Sequence, residues 1–315
     1  MGLVEAWGGN AVGWFFANLI EAFYNLFYAL THPSEWLAWL PYINQDMQTI
    51  EIKESLIRFI YYGASVEFFF VVFVIFLIVT GVGLVWNSVM WACVRGLERF
   101  ANGLGRTFAW AGLIMVLLQI IIIFMQRVFA VSEITFGFGM AFSFDVSWWS
   151  ESLKFYNALI VCLCATYTFV QGGHVRVDLI YSNVSYRTKK TIDMLGSLFF
   201  MLPTAVLVWL FGWFFLWRNL VVPNPSASNT LEQLLPKARA LRWNIETIGF
   251  SPNGFNAYWL FKFLLLCYVA TVMIHAVAFF YRSYLERKEG PESEGKYLDK
   301  DKLGDEQAEL VAQIH

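Results

Sequence analysis

The chain has 315 residues, 58% of them hydrophobic and only 15% charged, with a formal net charge of −2. A soluble domain carries about a quarter charged residues, so there are too few charges here to clothe a water-facing surface. The near-neutral balance also excludes the basic field of a nucleic-acid binder.

Residues 6–31 are apolar except for polar interruptions such as Glu21. They read as a crossing or as an interfacial helix. The crossing is favoured, because an even number of spans puts both termini on one side. No Lys or Arg precedes Lys53, so a cleavable signal peptide with a basic n-region is not expected. Residues 47–62 place Met47, Ile50, Ile57 and Ile60 at helical spacing among charges, the pattern of an interfacial helix.

Five charge-free stretches follow, at 68–94, 107–126, 155–175, 194–217 and 263–281. Each reaches or approaches the ~20 residues a helix needs to cross the hydrocarbon core. Only helices satisfy their own backbone in lipid at that length. Gly81 and Gly83 suit close helix approach, and Pro203 is expected to kink its helix. Between spans, residues 132–150 (with FGFGMAFSF) read as interfacial. Residues 219–254 form the longest linker, broken by Pro223, Pro225, Pro236 and Pro252. After Tyr284 the chain becomes a mixed-charge tail that reads as solvated.

Basic residues set the orientation. Arg95, Arg99 and Arg106 lie between two spans, Arg176, Arg187, Lys189 and Lys190 in a short loop, and Arg282, Arg287 and Lys288 after the last span. All fall on one side of an alternating topology, which places that loop and the C-terminal tail in the cytoplasm.

The chemistry on offer is sparse. Cys93, Cys162, Cys164 and Cys267 form no CxxC pair and read as small buried apolar residues. Haem between two helices needs histidines at matched depth. His174 stands at a helix end and His275 about two turns inside its span, a mismatch of ~10 Å. Glu21, Glu67 and Lys262 lie near span ends. Gln119, Asn157 and Thr166 are isolated and read as interhelical glue. The spans carry almost no internal polar locks, so the chain is expected to work inside a complex.

One stretch is specific. Residues 149–190 read WSESLKFYNALIVCLCATYTFVQGGHVRVDLIYSNVSYRTKK. This resembles the small membrane subunit, DctQ-type, of the TRAP (tripartite ATP-independent periplasmic) transporters. Trp149 and Glu151 match the family's helix entry. Gly173, His174, Arg176 and Asp178 match its core motif, and Pro203 falls in the next helix. Ser251, Pro252, Asn253, Gly254 and Lys262 are similar to the entry of its last helix. The resemblance covers roughly residues 106–284. Ser152 stands where a second acidic residue is common, the linker before the last helix is long, and the first hundred residues fall outside the family's four-helix core. Read without the family, His174, Arg176 and Asp178 share one face of an extended run. They offer either an Arg–Asp pair or partner contact, or only a helix cap and turn.

The expectation is therefore an all-α integral membrane protein. Residues 1–104 form an N-terminal extension with an interfacial helix and one or two crossings. Residues 105–285 form a four-helix transmembrane domain, and 286–315 a charged cytoplasmic tail. The resemblance implies no enzyme activity and a location in the bacterial inner membrane. It implies a large membrane subunit and a periplasmic substrate-binding protein as partners, with lipid around them and no nucleic acid. It implies a scaffold role in sodium-coupled uptake of an organic acid, with no cofactor in this chain and sodium held by the large subunit. Two other classes compete: a haem-binding redox subunit, separable by an absorbance spectrum, and a self-sufficient channel or transporter, separable by transport in liposomes.

Overall fold

A computed structural model describes residues 3–43, 47, 49–137, 142–172, 181, 183–222, 240–241, 254–255 and 257–300. Almost all of this is helix. The N-terminal part contains α1 (Leu3–Trp7), α2 (Ala11–Thr31), the short α3 (Ser34–Leu37) and α4 (Ile50–Tyr62). Then come α5 (Val66–Val85), α6 (Asn87–Ile123, continuing through a π turn, Phe124–Val128) and α7 (Val146–Gln171). Helix α8 (Tyr186–Gly196) runs through a second π turn (Ser197–Met201) into α9 (Leu202–Leu220), and α10 (Tyr258–Glu289) is last. Two small antiparallel pairs complete it, β1 (Glu133–Phe136) with β2 (Phe142–Asp145), and β3 (Val221–Val222) with β4 (Ala240–Leu241).

Five helices are long and apolar enough to cross a membrane: α5, α6 with its π turn, α7, α8–α9 and α10. The all-α membrane fold is thus as expected. Helix α2 is 21 residues long but does not meet the same hydropathy measure, so the sixth crossing favoured from the sequence is not supported. Its Trp14 and Phe15 rings meet Phe70 and Phe73, and Ala22 is buried with Phe70 and Val74. These contacts fall on the first half of α5. Asn18 and Glu21 lower the mean hydropathy of α2 where a spanning helix would carry apolar residues.

Two span boundaries move. The stretch 68–94 is not one helix: the chain turns at Trp86 (φ −120°, ψ 95°) and α6 begins at Asn87. Gly83 lies so close to Met90 that a Cβ there would press on its side chain, whereas Gly81 faces open space. Arg95, Arg99 and Arg106 consequently sit inside α6 and not in a loop. With its π turn α6 has 42 residues, about 63 Å at 1.5 Å per residue. That is twice the ~30 Å hydrocarbon thickness, so its basic first half projects beyond the apolar run 107–126. Before Pro203 the helix opens into the π turn. Proline has no N–H for the i−4 carbonyl and its ring crowds that position, and the wider turn relieves this.

Helix α10 is the hub. In its most apolar stretch 39% of residues are buried, against 11–22% in the other four spans. It packs on α6, α7, α8 and α9. Helices α6 and α7 run antiparallel, with Gly105 under the Tyr167 ring and Ile122 packed near Val146. Helix α4 forms where an interfacial helix was expected and packs on α9. Its Leu56 and Ile57, with Met47 and Trp39, are buried against Leu216, Trp217 and Leu220 of α9, while Ile50 stands exposed. The indole N–H groups of Trp209 and Trp213 donate to the carbonyls of Gly63 (2.8 Å) and Ile60 (2.7 Å), satisfying the open C-terminus of α4.

The expectation of almost no internal polar locks is corrected at the end where α6, α8 and α10 meet. Arg282 of α10 donates from Nε (2.5 Å) and Nη2 (2.6 Å) to the two oxygens of Glu98 on α6. Its Nη1 reaches Glu286 (3.3 Å) and the Lys296 carbonyl (3.1 Å). Glu286 also takes Lys190 of α8 at 2.6 Å. Glu98, Arg282 and Glu286 are all buried. The beginning of the tail joins them. Trp91 donates to Glu289, Arg95 lies over the Tyr297 ring, and Asn102 and Arg106 hold Asp299. Residues 290–300 therefore clasp α6, where the sequence suggested a solvated tail. The Arg106 guanidinium and the Asn102 amide hold the Asp299 carboxyl below its ordinary value. That contact is accordingly in place at neutral pH and weakens as pH falls through the lowered value.

Breaking one side of this buried pair should be costly. Glu98→Gln leaves Arg282 short of its main counter-charge and should lower stability by about 3 kcal/mol. Glu98→Leu combined with Arg282→Met should cost less. Thermal unfolding of the detergent-purified protein, followed by tryptophan fluorescence, checks both.

Candidate functional site

The residues singled out from the sequence converge where α7 and α10 begin and α9 ends. Helix α7 starts because the Asp145 carboxylate caps it, accepting from the Ser147 N–H at 2.7 Å. In the first turn Trp149 packs with Leu153 against Ile121, Ile122 and Met125 of α6 and Ile134 of the β1–β2 hairpin. This hairpin occupies the segment read as interfacial.

Glu151 faces the other way. Its Oε2 accepts the Phe255 N–H at 2.8 Å, just before α10 starts. A Cβ at Gly254 would collide with the Glu151 carboxylate, so a larger residue there must displace that carboxylate. The Phe255 ring then meets Trp148 (5.4 Å) and Phe155 (5.7 Å). The entry of the last helix is pinned in this way to the entry of α7.

Lys262, in the second turn of α10, closes the third side. Its Nζ donates to the Phe215 carbonyl at 3.0 Å, near the C-terminal end of α9. A cation there complements the C-terminal end of the helix dipole. The rings of Tyr258 and Phe215 flank the ammonium at 5.4 and 5.9 Å.

The structure thus brings Trp149, Glu151 and Lys262 to one end. Pro203 is not with them; it lies in the first turn of α9, toward the end where Lys190 meets Glu286. Gly173, His174, Arg176 and Asp178 lie outside the described residues, as do Ser251, Pro252 and Asn253. The motif follows Gly172, whose left-handed φ of 78° ends α7. His275 is buried between the Phe169 and Phe279 rings. Sequence reasoning missed the Glu98–Arg282 pair. Glu98 stands seven residues after Trp91 and four after Val94, on the buried face of α6, and that helical spacing was the available signal.

Glu151→Ala should free the α10 entry and lower thermal stability by about 1.5–3 kcal/mol, the worth of one hydrogen bond to a charged acceptor. Glu151→Gln keeps an acceptor and should cost less. Gly254→Ala should resemble Glu151→Ala, because the new methyl group displaces the carboxylate. Unfolding midpoints of the three variants in detergent check the order.

Comparison with known proteins bears on this same region. Residues 138–238 match the family described as DctQ: Tripartite ATP-independent periplasmic transporters, DctQ component. Neither the curated proteins nor the solved structures contain a match. The matched segment runs from the hairpin through α7, the motif region, α8 and α9 into the linker. It includes Trp149, Glu151, Gly173, His174, Arg176, Asp178 and Pro203, whereas Lys262 lies beyond it. Residues 138–238 are therefore similar to the DctQ component of the tripartite ATP-independent periplasmic transporters.

Proposed function

We propose that this chain is the fixed scaffold subunit beside a large, elevator-type membrane subunit, in sodium-coupled uptake of an organic acid handed over by a periplasmic binding protein. The match at residues 138–238 carries this reading. Its supports are physical. Three helix ends are pinned at one end of the bundle and three helices by buried charge at the other, which suits a body that does not move. Outside α10, most of each span is uncovered. Such apolar surface needs lipid or protein against it.

The domain reading belongs here too. Residues 1–104 act as an extension buttressing the core, 105–285 as the four-helix transmembrane domain, and 286–315 as a cytoplasmic tail whose first residues clasp α6. The end bearing Lys190, Arg282 and Arg106 faces the cytoplasm of a bacterial inner membrane, and the Glu151–Phe255 end faces the binding protein.

Two experiments test this. Co-expression with the large membrane subunit encoded alongside should yield a stable complex after detergent extraction, and sodium-dependent uptake in liposomes should need both chains and the binding protein. Uptake by this chain alone would support a self-sufficient transporter instead. For orientation, a cysteine at Ser182 in a background lacking the native cysteines should resist an impermeant thiol reagent in intact cells. One at Ser228 should react, and the reverse result would invert the topology.

A further inference from the structure

Near its far end the tail clasp places an oxyanion in a cradle made by two helices. The Asp299 carboxylate takes Arg106 of α6 on two prongs, Nη1 to Oδ2 at 3.1 Å and Nη2 to Oδ1 at 3.2 Å. The Asn102 amide donates to the same carboxylate at 3.3 Å and to the Asp299 carbonyl at 2.8 Å. Gln171, the last residue of α7, donates to that carbonyl at 3.0 Å and to the Asn102 side-chain oxygen at 3.3 Å. Asn102 is fully buried, and the Arg99 charge acts on Asp299 from two turns before Arg106.

A guanidinium that grips two oxygens, with amides beside it, suits a phosphate as well as a carboxylate. The place of the cradle in the chain narrows the choice. The apolar run 107–126 begins one residue after Arg106, so the cradle stands at the edge of the hydrocarbon, at headgroup depth. Trp110, 66% exposed, follows one turn later, where an interfacial indole belongs. The present occupant is lightly held. The Arg106 and Asp299 side chains are 42% and 49% exposed, and an ion pair so open to water contributes little. Tyr297, two residues earlier, has a left-handed φ of 60°, unfavourable for a bulky side chain. The tail before it is bonded to Arg282 and Glu286 through Lys296 and Gly295, so Asp299 can lift without disturbing that network.

We infer that the cradle of Asn102, Arg106 and Gln171 is a binding site for the phosphate of an anionic phospholipid, which Asp299 fills from within as a competing self-ligand. When Asp299 lifts, the phosphate takes the Arg106 fork and the Asn102 amide, and an acyl chain lies along the exposed Trp110 and Leu113. The tail end is then a latch whose closure depends on the lipid beside it. None of this depends on the scaffold reading.

Native mass spectrometry of the full chain, purified in neutral detergent and titrated with phosphatidylglycerol, tests this. Asp299→Ala and the milder Asp299→Asn should both bind the lipid more tightly than the wild-type chain. Glu292→Ala, which removes the same charge from an exposed part of the tail, should not. In the Asp299→Ala background, Arg106→Gln should weaken binding about fivefold, the worth of one basic residue beside an anionic headgroup. Arg287→Gln, at another exposed arginine, should have no such effect, and phosphatidylcholine should bind all variants alike. Equal binding by the wild-type and both Asp299 variants would overturn the self-ligand. Equal losses from Arg106→Gln and Arg287→Gln would mean diffuse attraction and overturn the site. Displacement of the lipid by inorganic phosphate at the same concentration would make this a free-anion site and overturn the phospholipid.

Discussion

A bidentate pair of buried charges, Arg282 with Glu98, fixes how the longest helix of this protein sits against its most central one. Apolar spans in lipid have little preference for one register over another, because a neighbouring leucine and a lipid tail are equally apolar. A charge in a dry site does have a preference, since it must meet its partner or pay heavily in desolvation. Glu98 and Arg282 can pair in one register only. That register carries α6 beyond the bilayer alongside the end of α10, and it brings Lys190 of α8 onto Glu286. The tail completes the site, because the Gly295 N–H and the Lys296 carbonyl supply hydrogen bonds that the carboxylate and guanidinium would otherwise lack.

The opposite end is held by contacts to backbone. Glu151 accepts from the N–H ahead of α10, Lys262 donates to a carbonyl of α9, and two indoles donate to carbonyls at the end of α4. Each pin joins a side chain of one helix to backbone near the end of another. Such bonds restrain sliding and rotation together. Helix α10, pinned at both ends and packed on four neighbours, is the part least able to shift, and a scaffold needs such a member.

Much of this could be read from the residues, for identifiable reasons. Charge-free runs betray spans because lipid tolerates nothing else, and the family motif carried the subunit assignment. Boundaries were less legible. The stretch 68–94 carries no charge, and the polar pair Asn87 and Ser88 was the only mark beside the turn at Trp86; the clash that a larger residue at position 83 would make with Met90 exists only in three dimensions. Arg95, Arg99 and Arg106 look like a loop because they are charged, yet a helix that leaves the bilayer also carries charge. The Glu151–Phe255 contact was half visible: both partners' segments had been noted, but 104 residues separate them and spacing says nothing about meeting. Asn157 and Gln119 misled in the opposite sense: both are exposed on their helices, and an isolated polar residue in a span looks the same whether it faces inward or outward.

The added N-terminal helices make sense once the outer faces are compared. Helix α4 and the Trp39 region cover the tryptophan side of α9, and α5 lies against Phe280 and Tyr281 of α10, where Thr80 and the Tyr281 hydroxyl meet at 2.9 Å. Both additions lie on the α9–α10 side of the bundle. The extension thus thickens the bundle on that side. Indoles on α9 that would otherwise meet lipid deep in the span instead give their N–H groups to α4. An added module built in this way stiffens the block on the side where those indoles stand.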